Sequence, residues 1–420
     1  MTEPRDHSNI DPALWRGLTQ SRVSRRDLFR YAGVGAGTLS LASILAACGT
    51  KGVTTAESGG KLPNAGMGTS QWWSQQKLHK QLNFANWPYY MDVSHGTHPS
   101  LDQFTRETGI KVNYTEPIQD NPSFFAKIRP ELQAGKPTGY DIVVLTNNDY
   151  PLGEMIQFGW MIPIDHSMMP NFDKYASKLV TDPSWDPGNK YSMAWQSGYT
   201  IMAYNTKYIK EDITSVQALW DPKYKGKIGM FANASELGNF GLLAVGVEDP
   251  STSTPSDWDK AAAKLNEQKP IVRSYYDQSY IHALKNEDIW ISMVWSGDIF
   301  QAALQGYNDL QVVVPDEGAM FWTDNMVIPI YAENPLDAMT YMDSVFDPKV
   351  QAQIENYNHY VCPVPASQPI MASQYDPKVA ASPLVFPDAQ MEAATKSYYA
   401  WKDTKDLDQW NSIFVPIFQG

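Results

Sequence analysis

Short apolar runs alternate along the chain with segments whose apolar residues recur every three or four positions. From residue 78 the runs at 82–87, 111–115 and 140–146 read as strands. Tyr140-Asp141-Ile142-Val143-Val144-Leu145-Thr146 is apolar enough to be buried on both faces, as in a parallel sheet. Helical spacing fills the intervals: 100–108, stopped by Gly109; 124–134, interrupted by Pro130; and 150–158, stopped by Gly159. After a Pro- and Asp-rich stretch at 181–189, a second set of strands follows at 200–204, 227–232, 271–276, 289–295, 310–314 and 326–330. Helices are expected from Ser235 and over 256–267, 279–286, 297–305, 335–346 and 348–356. Gly318-Ala319-Met320-Phe321-Trp322-Thr323-Asp324-Asn325 then reads as a link between two strands. Repeated strand–helix alternation predicts an α/β fold with a parallel-dominated sheet, and 420 residues suffice for two domains.

The first 77 residues follow another pattern. Ser24-Arg25-Arg26-Asp27-Leu28-Phe29-Arg30 precedes an uncharged, Gly- and Ser-containing stretch that ends in Leu45-Ala46-Ala47-Cys48-Gly49. Arg25 and Arg26 before such a segment read as a twin-arginine export signal, and the small residues ending at Cys48 resemble a lipoprotein lipobox. The segment falls short of the roughly 20 apolar residues of a membrane span. Residues 1–48 are therefore expected to be a signal peptide and 49–77 a flexible tether. Lipidation at Cys48 would anchor the exported protein to the outer face of the cytoplasmic membrane. Trp72 and Trp73 stand out in the tether, and the sequence leaves open whether they meet protein or lipid.

The formal charge of −13 and the lack of a Lys/Arg cluster argue against nucleic acid as a partner. Fourteen Trp and 23 Tyr are more aromatic surface than a core of this size usually needs, and both residues are typical of ligand walls. Two cysteines, Cys48 and Cys362, build no disulfide framework. In open α/β sheets, ligands sit beyond the carboxyl ends of the strands. The residues there are Trp87 and Tyr90; Thr146, Asn147 and Asn148; Asn233 and Glu236; Trp295; and Trp322 with Asp324. Residues two apart on an extended chain share a side, so Trp322 and Asp324 can line one wall. An aromatic face beside a carboxylate suits an organic cation, worth about 0.5–2 kcal/mol from the ring alone. Plainer readings stay open: Trp87 as a strand-end core residue, and Asn233 with Glu236 as a helix cap and capping box.

These residues lie in blocks that resemble the spermidine/putrescine-binding proteins of bacterial ABC importers over most of 80–370. The blocks are Asn86-Trp87-Pro88-Tyr89-Tyr90, 104–112, 140–144, 219–226, Met293-Val294-Trp295-Ser296-Gly297 and Phe321-Trp322-Thr323-Asp324. The resemblance implies a two-lobed, periplasmic-binding-protein-like (type II) clamp with two crossover hinges, near 195–199 and 320–323. Lobe 1 would take 78–197 plus 323–370, and lobe 2 would take 198–322 plus 371–420. It further implies aromatic walls at Trp87, Tyr90, Trp295 and Trp322, ammonium-receiving carboxylates at Asp324 and Glu236, a polar contact at Thr146 and an aromatic one at Tyr360. Asn233 and Asn148 stand where the family has an Asp and a Tyr, which leaves the choice among polyamines open. The implied partners are a polyamine or similar cation and ABC permease subunits, with the binding protein a monomer that needs no cofactor or metal. A clamp for a sugar, an iron complex or another cation is the main alternative. An exported enzyme is a weaker one, since no G-x-S-x-G, H-E-x-x-H or P-loop occurs. His95 and His98 have the spacing of a metal pair, but with no third ligand nearby no metal site is expected there, and Cys362 reads as a packed thiol.

Overall fold

The computed structural model describes residues 68–401 and 404–419. Their strands are β1 (Gln81–Ala85), β2 (Lys111–Thr115), β3 (Ile142–Thr146), β4 (Ser192–Asn205), β5 (Ile228–Phe231), β6 (Val272–Tyr276), β7 (Ile291–Trp295), β8 (Leu310–Val313), β9 (Ala319–Val327) and β10 (Thr395–Ser397). They form one sheet in the order β2-β1-β3-β9-β4-β7-β5-β6, with β10 on β9 and β8 on β4. Helices pack on the strands, giving an α/β architecture with two hydrophobic cores. One core gathers Phe84, Phe125, Val143, Met193, Trp195, Met326 and Tyr341, and the other gathers Tyr199, Met202, Phe240, Trp258, Met293, Met320 and Trp410.

The outer strands of each half run parallel, as the βαβ pattern predicts (β1 with β2 and β3; β5 with β6 and β7). The centre corrects the parallel-dominated expectation: β3–β9, β4–β9, β4–β7 and β4–β8 are all antiparallel. The reason is that β4 leaves the first core for the second, while β9 makes the return journey beside it. Residues 318–325 are accordingly no link. From Ala319 they are β9 itself, paired along both edges and buried at every position. Likewise the strand expected over 200–204 is only the end of the 14-residue β4, whose every residue is buried. The Gln, Ser and Gly at 196–198 hide that length in the sequence, because a strand buried on both faces shows no alternation.

Gly109 ends the helix Pro99–Thr108 with φ 75, the left-handed stop that glycine permits. In the stretch expected as a tether, Thr69–Trp73 is helical, with Trp72 and Trp73 buried in the first core and the Trp73 Nε1 donating to the Pro163 carbonyl at 2.8 Å. Cys362 is buried, its Sγ donating to the Val364 carbonyl at 3.3 Å, and burial pushes the thiol well above its usual range. The export signal, with Arg25, Arg26 and Cys48, lies outside the described residues.

Candidate functional site

The register of the central strands builds a continuous floor. Thr146 on β3 faces Asp324 on β9, Asp324 faces Gln196 on β4, Trp322 faces Gly198, and Thr200 faces Trp295 on β7. Period-2 alternation puts Gln196, Gly198, Thr200, Trp322 and Asp324 on one face. Gly198 is required there. A Cβ on it would lie 2.3 Å from Trp322 Cζ2, so the indole lies directly over the glycine backbone.

Asp324 is 5% exposed. Tyr90 Oη donates to its Oδ2 at 2.7 Å and Thr146 Oγ1 to its Oδ1 at 2.6 Å. Asn121 Nδ2 in turn donates to Thr146 Oγ1 at 2.9 Å. Burial outweighs these bonds and holds the carboxyl up at about 6. On the other side, Asn233 caps the helix Ala234–Ala244 by accepting from the Glu236 N–H at 3.0 Å. The plain reading of Asn233 therefore holds, but Glu236 does not fold back on it. Its Oε1 accepts from Asn148 Nδ2 at 3.1 Å and from Trp295 Nε1 at 3.2 Å, and its Oε2 accepts from Tyr398 Oη at 2.6 Å. With that single proton used, Tyr398 Oη accepts from Thr200 Oγ1 at 3.0 Å, and burial raises the Glu236 carboxyl as well.

Aromatic rings join the two carboxylates. Tyr360 meets Tyr90 edge-on with centroids 5.5 Å apart and Trp322 at 5.4 Å. Trp295 packs on Phe231 at 4.7 Å and Tyr280 at 5.9 Å. Tyr360 Oη donates at 3.1 Å to Asp298, which also accepts from Tyr280 at 2.6 Å. Asp298 is a third carboxyl raised by burial. Asp149, beside Asn148, is pushed up to about 7, by burial first and then by the charges of Asp120 and Glu236.

The structure thus brings together Tyr90, Thr146, Asn148, Glu236, Trp295, Trp322, Asp324 and Tyr360, with Asn233 supporting Glu236 from behind. Trp87 is half-buried beyond β1 against the first core and, among the described residues, shares no hydrogen bond or ring contact with this cluster. Asp149 and Asp298 were missed although both lie within a few residues of a strand end, where the same rule that found Asn148 and Trp295 would have reached them. Tyr398 carried no local signal, since it arrives beside Glu236 only because β10 pairs with β9. His98 Nδ1 meets the Asp92 carbonyl at 3.0 Å, and no three-residue metal-holding group occurs among the described residues.

The model of the bacterial extracellular solute-binding proteins matches residues 100–387. The chain belongs to that family. Over 339 residues this solute-binding protein is 30% identical to the spermidine/putrescine-binding periplasmic protein of Salmonella typhimurium, covering 80% of this chain and 90% of that one. It is 28% identical over 333 residues to the putrescine-binding periplasmic protein PotF of Escherichia coli, covering 75% of this chain and 85% of that one. Its fold is similar to the putative spermidine/putrescine ABC transporter structure from Listeria monocytogenes, with a TM-score of 0.68 and 26% identity over 81% of this chain and 99% of that chain. The fold is the two-lobed clamp of type II periplasmic binding proteins, with β4 and β9 as the strands shared by both halves.

Proposed function

We propose that this solute-binding protein captures a polyamine, putrescine or spermidine, between its two lobes and hands it to an ABC permease. The observation that carries the reading is the state of Asp324 and Glu236. Both are buried, each belongs to the wall of a different core, and among the described residues every donor that reaches them is neutral. A buried carboxylate without a cationic partner costs several kcal/mol, and an ammonium group supplies that partner. Tyr90, Tyr360, Trp295 and Trp322 lie around the two acids and add aromatic attraction for the methylene-linked cation. The names of the relatives point to the same chemistry. Closing the lobes around the ligand completes the cage, so ligand contacts favour the closed state.

In this reading the protein works as a monomer, exported through the Arg25–Arg26 signal and anchored by lipid at Cys48. Cys48→Ser should then release it from the membrane fraction. Calorimetric titration with putrescine, spermidine and cadaverine tests the ligand, and native mass spectrometry of protein from its own cells identifies the captured solute. Failure of every polyamine to bind would remove the proposal.

A further inference from the structure

The floor of the cleft holds hydrogen-bonding groups that a simple polyamine cannot fill. Gln196 is fully buried, and among the described residues neither its Oε1 nor its Nε2 has a partner. Trp322 is 6% exposed, and its Nε1 likewise has no partner among the described residues. The two are neighbours. Gln196 pairs with Asp324 and Gly198 with Trp322 in an unbroken register over 196–200, past the irregularity at Ala194. Gln196 therefore shares the face of Gly198, on which the Trp322 ring lies, and of Thr200, whose Oγ1 belongs to the Glu236 network. The amide sits beside Asp324 on the ligand side of β4.

A protonated polyamine offers donors only, like a lysine ammonium. It can satisfy Asp324, Glu236 and Gln196 Oε1, but it leaves Gln196 Nε2 and Trp322 Nε1 buried with nothing to donate to. Those two N–H groups need an acceptor oxygen. A carboxylate is the wrong one, because Asp324, Glu236 and Asp298 surround the same cleft. Among the described residues, the basic group that bears on any of these three acids is Lys285, against Asp298. A neutral carbonyl fits, with two lone pairs for the two donors. If it belongs to an amide, the amide N–H can donate to Gln196 Oε1 in the reciprocal pairing that a primary amide side chain makes.

We infer that the solute is an amine that keeps two ammonium groups for Asp324 and Glu236 and also carries a neutral amide, with an N-acylated triamine as the type, and that Gln196 is the residue that selects it. The inference rests on the proposal that this cleft binds an amine, and it adds the second functional group.

The test is calorimetry on the purified protein with spermidine against N-acetylspermidine, which keeps two ammonium groups. In the wild type the acetylated amine should bind about tenfold tighter or better, since it fills two otherwise unmet donors. In Gln196→Leu the ratio should fall toward one. Gln196→Met, nearly the same shape, should give the same collapse, and thermal unfolding of both variants checks that they fold. Equal or weaker binding of the acetylated amine by the wild type would overturn the inference and assign the unfilled donors to ordered water. A ratio that survives both substitutions would overturn the role of Gln196. If polyamines bind and only these comparisons fail, the proposed function stands without this refinement; if no amine binds in either form, the proposed function falls first.

Discussion

Asp324 keeps its proton to about pH 6 because its two donors, Tyr90 and Thr146, do not compensate for burial. An unfolded Asp releases that proton near 3.9. Between these values the folded protein holds a proton that the unfolded chain has lost, so this group's contribution to stability is greatest at low pH and declines as pH rises through about 6. A cationic ligand has the opposite preference, because it needs the ionised form. Polyamine affinity measured by calorimetry should therefore weaken as pH drops below about 6, with protons released on binding. Asp324→Asn should cost about 2–5 kcal/mol of binding at neutral pH and flatten the part of the pH profile that belongs to this residue. Unchanged affinity would place Asp324 outside the site. The pairing of Trp322 with Asp324 was readable from their spacing, because any extended chain puts residues two apart on one side. The raised pKa was not, since it comes from residues far away along the chain.

Strands β4 and β9 set the geometry of the site. Gly198→Ala would drive a methyl group into the Trp322 ring. We expect a stability loss of about 1–3 kcal/mol from overpacking, together with a weakened ligand-induced change in tryptophan fluorescence, both readable in one denaturation and titration series. Normal binding by Gly198→Ala would mean that Trp322 does not form the wall. The helix Thr69–Trp73 makes a separate prediction. Trp73 is 2% exposed and hydrogen-bonded to Pro163, so Trp73→Ala should destabilise the fold by about 3–5 kcal/mol in chemical denaturation. A silent substitution would mean that this segment is not packed on the first core in solution. Here the sequence misled by composition: the Gly, Ser and Thr around the two tryptophans look like linker, and only packing reveals an anchored end.

Across the whole molecule, the excess of acidic residues gives a net charge of −13. Diffusing cations should be drawn toward the protein, and salt should screen that attraction. Stopped-flow fluorescence should show the association rate for spermidine falling steeply with ionic strength and the rate for a neutral analogue hardly changing. Equal salt dependence of the two would show that net charge does not steer capture. The two halves also meet through Asn148–Glu236 and Tyr360–Asp298. In the proposed clamp, closure would couple a residue beyond β3 to one on the helix after β5, and Tyr360 to the helix after β7.

Local pattern alone pointed to the α/β class, to most helix and strand positions, and to Tyr90, Thr146, Asn148, Glu236, Trp295, Trp322 and Asp324 of the candidate cleft; Tyr360 came from the family resemblance, and Asp149, Asp298 and Tyr398 were not reached. Strand ends and helix stops are short-range features, and the rule that ligands gather at strand ends needs no coordinates. The antiparallel centre, the continuity of β9 through Trp322 and Asp324, and the arrival of Tyr398 at Glu236 were decided only by the tertiary structure. Each depends on which distant strand lies alongside, and burial on both faces erases the alternation that would have announced it. The unfilled amide of Gln196 belongs to the same class, because a side chain's missing partner becomes visible only when all its neighbours are in place.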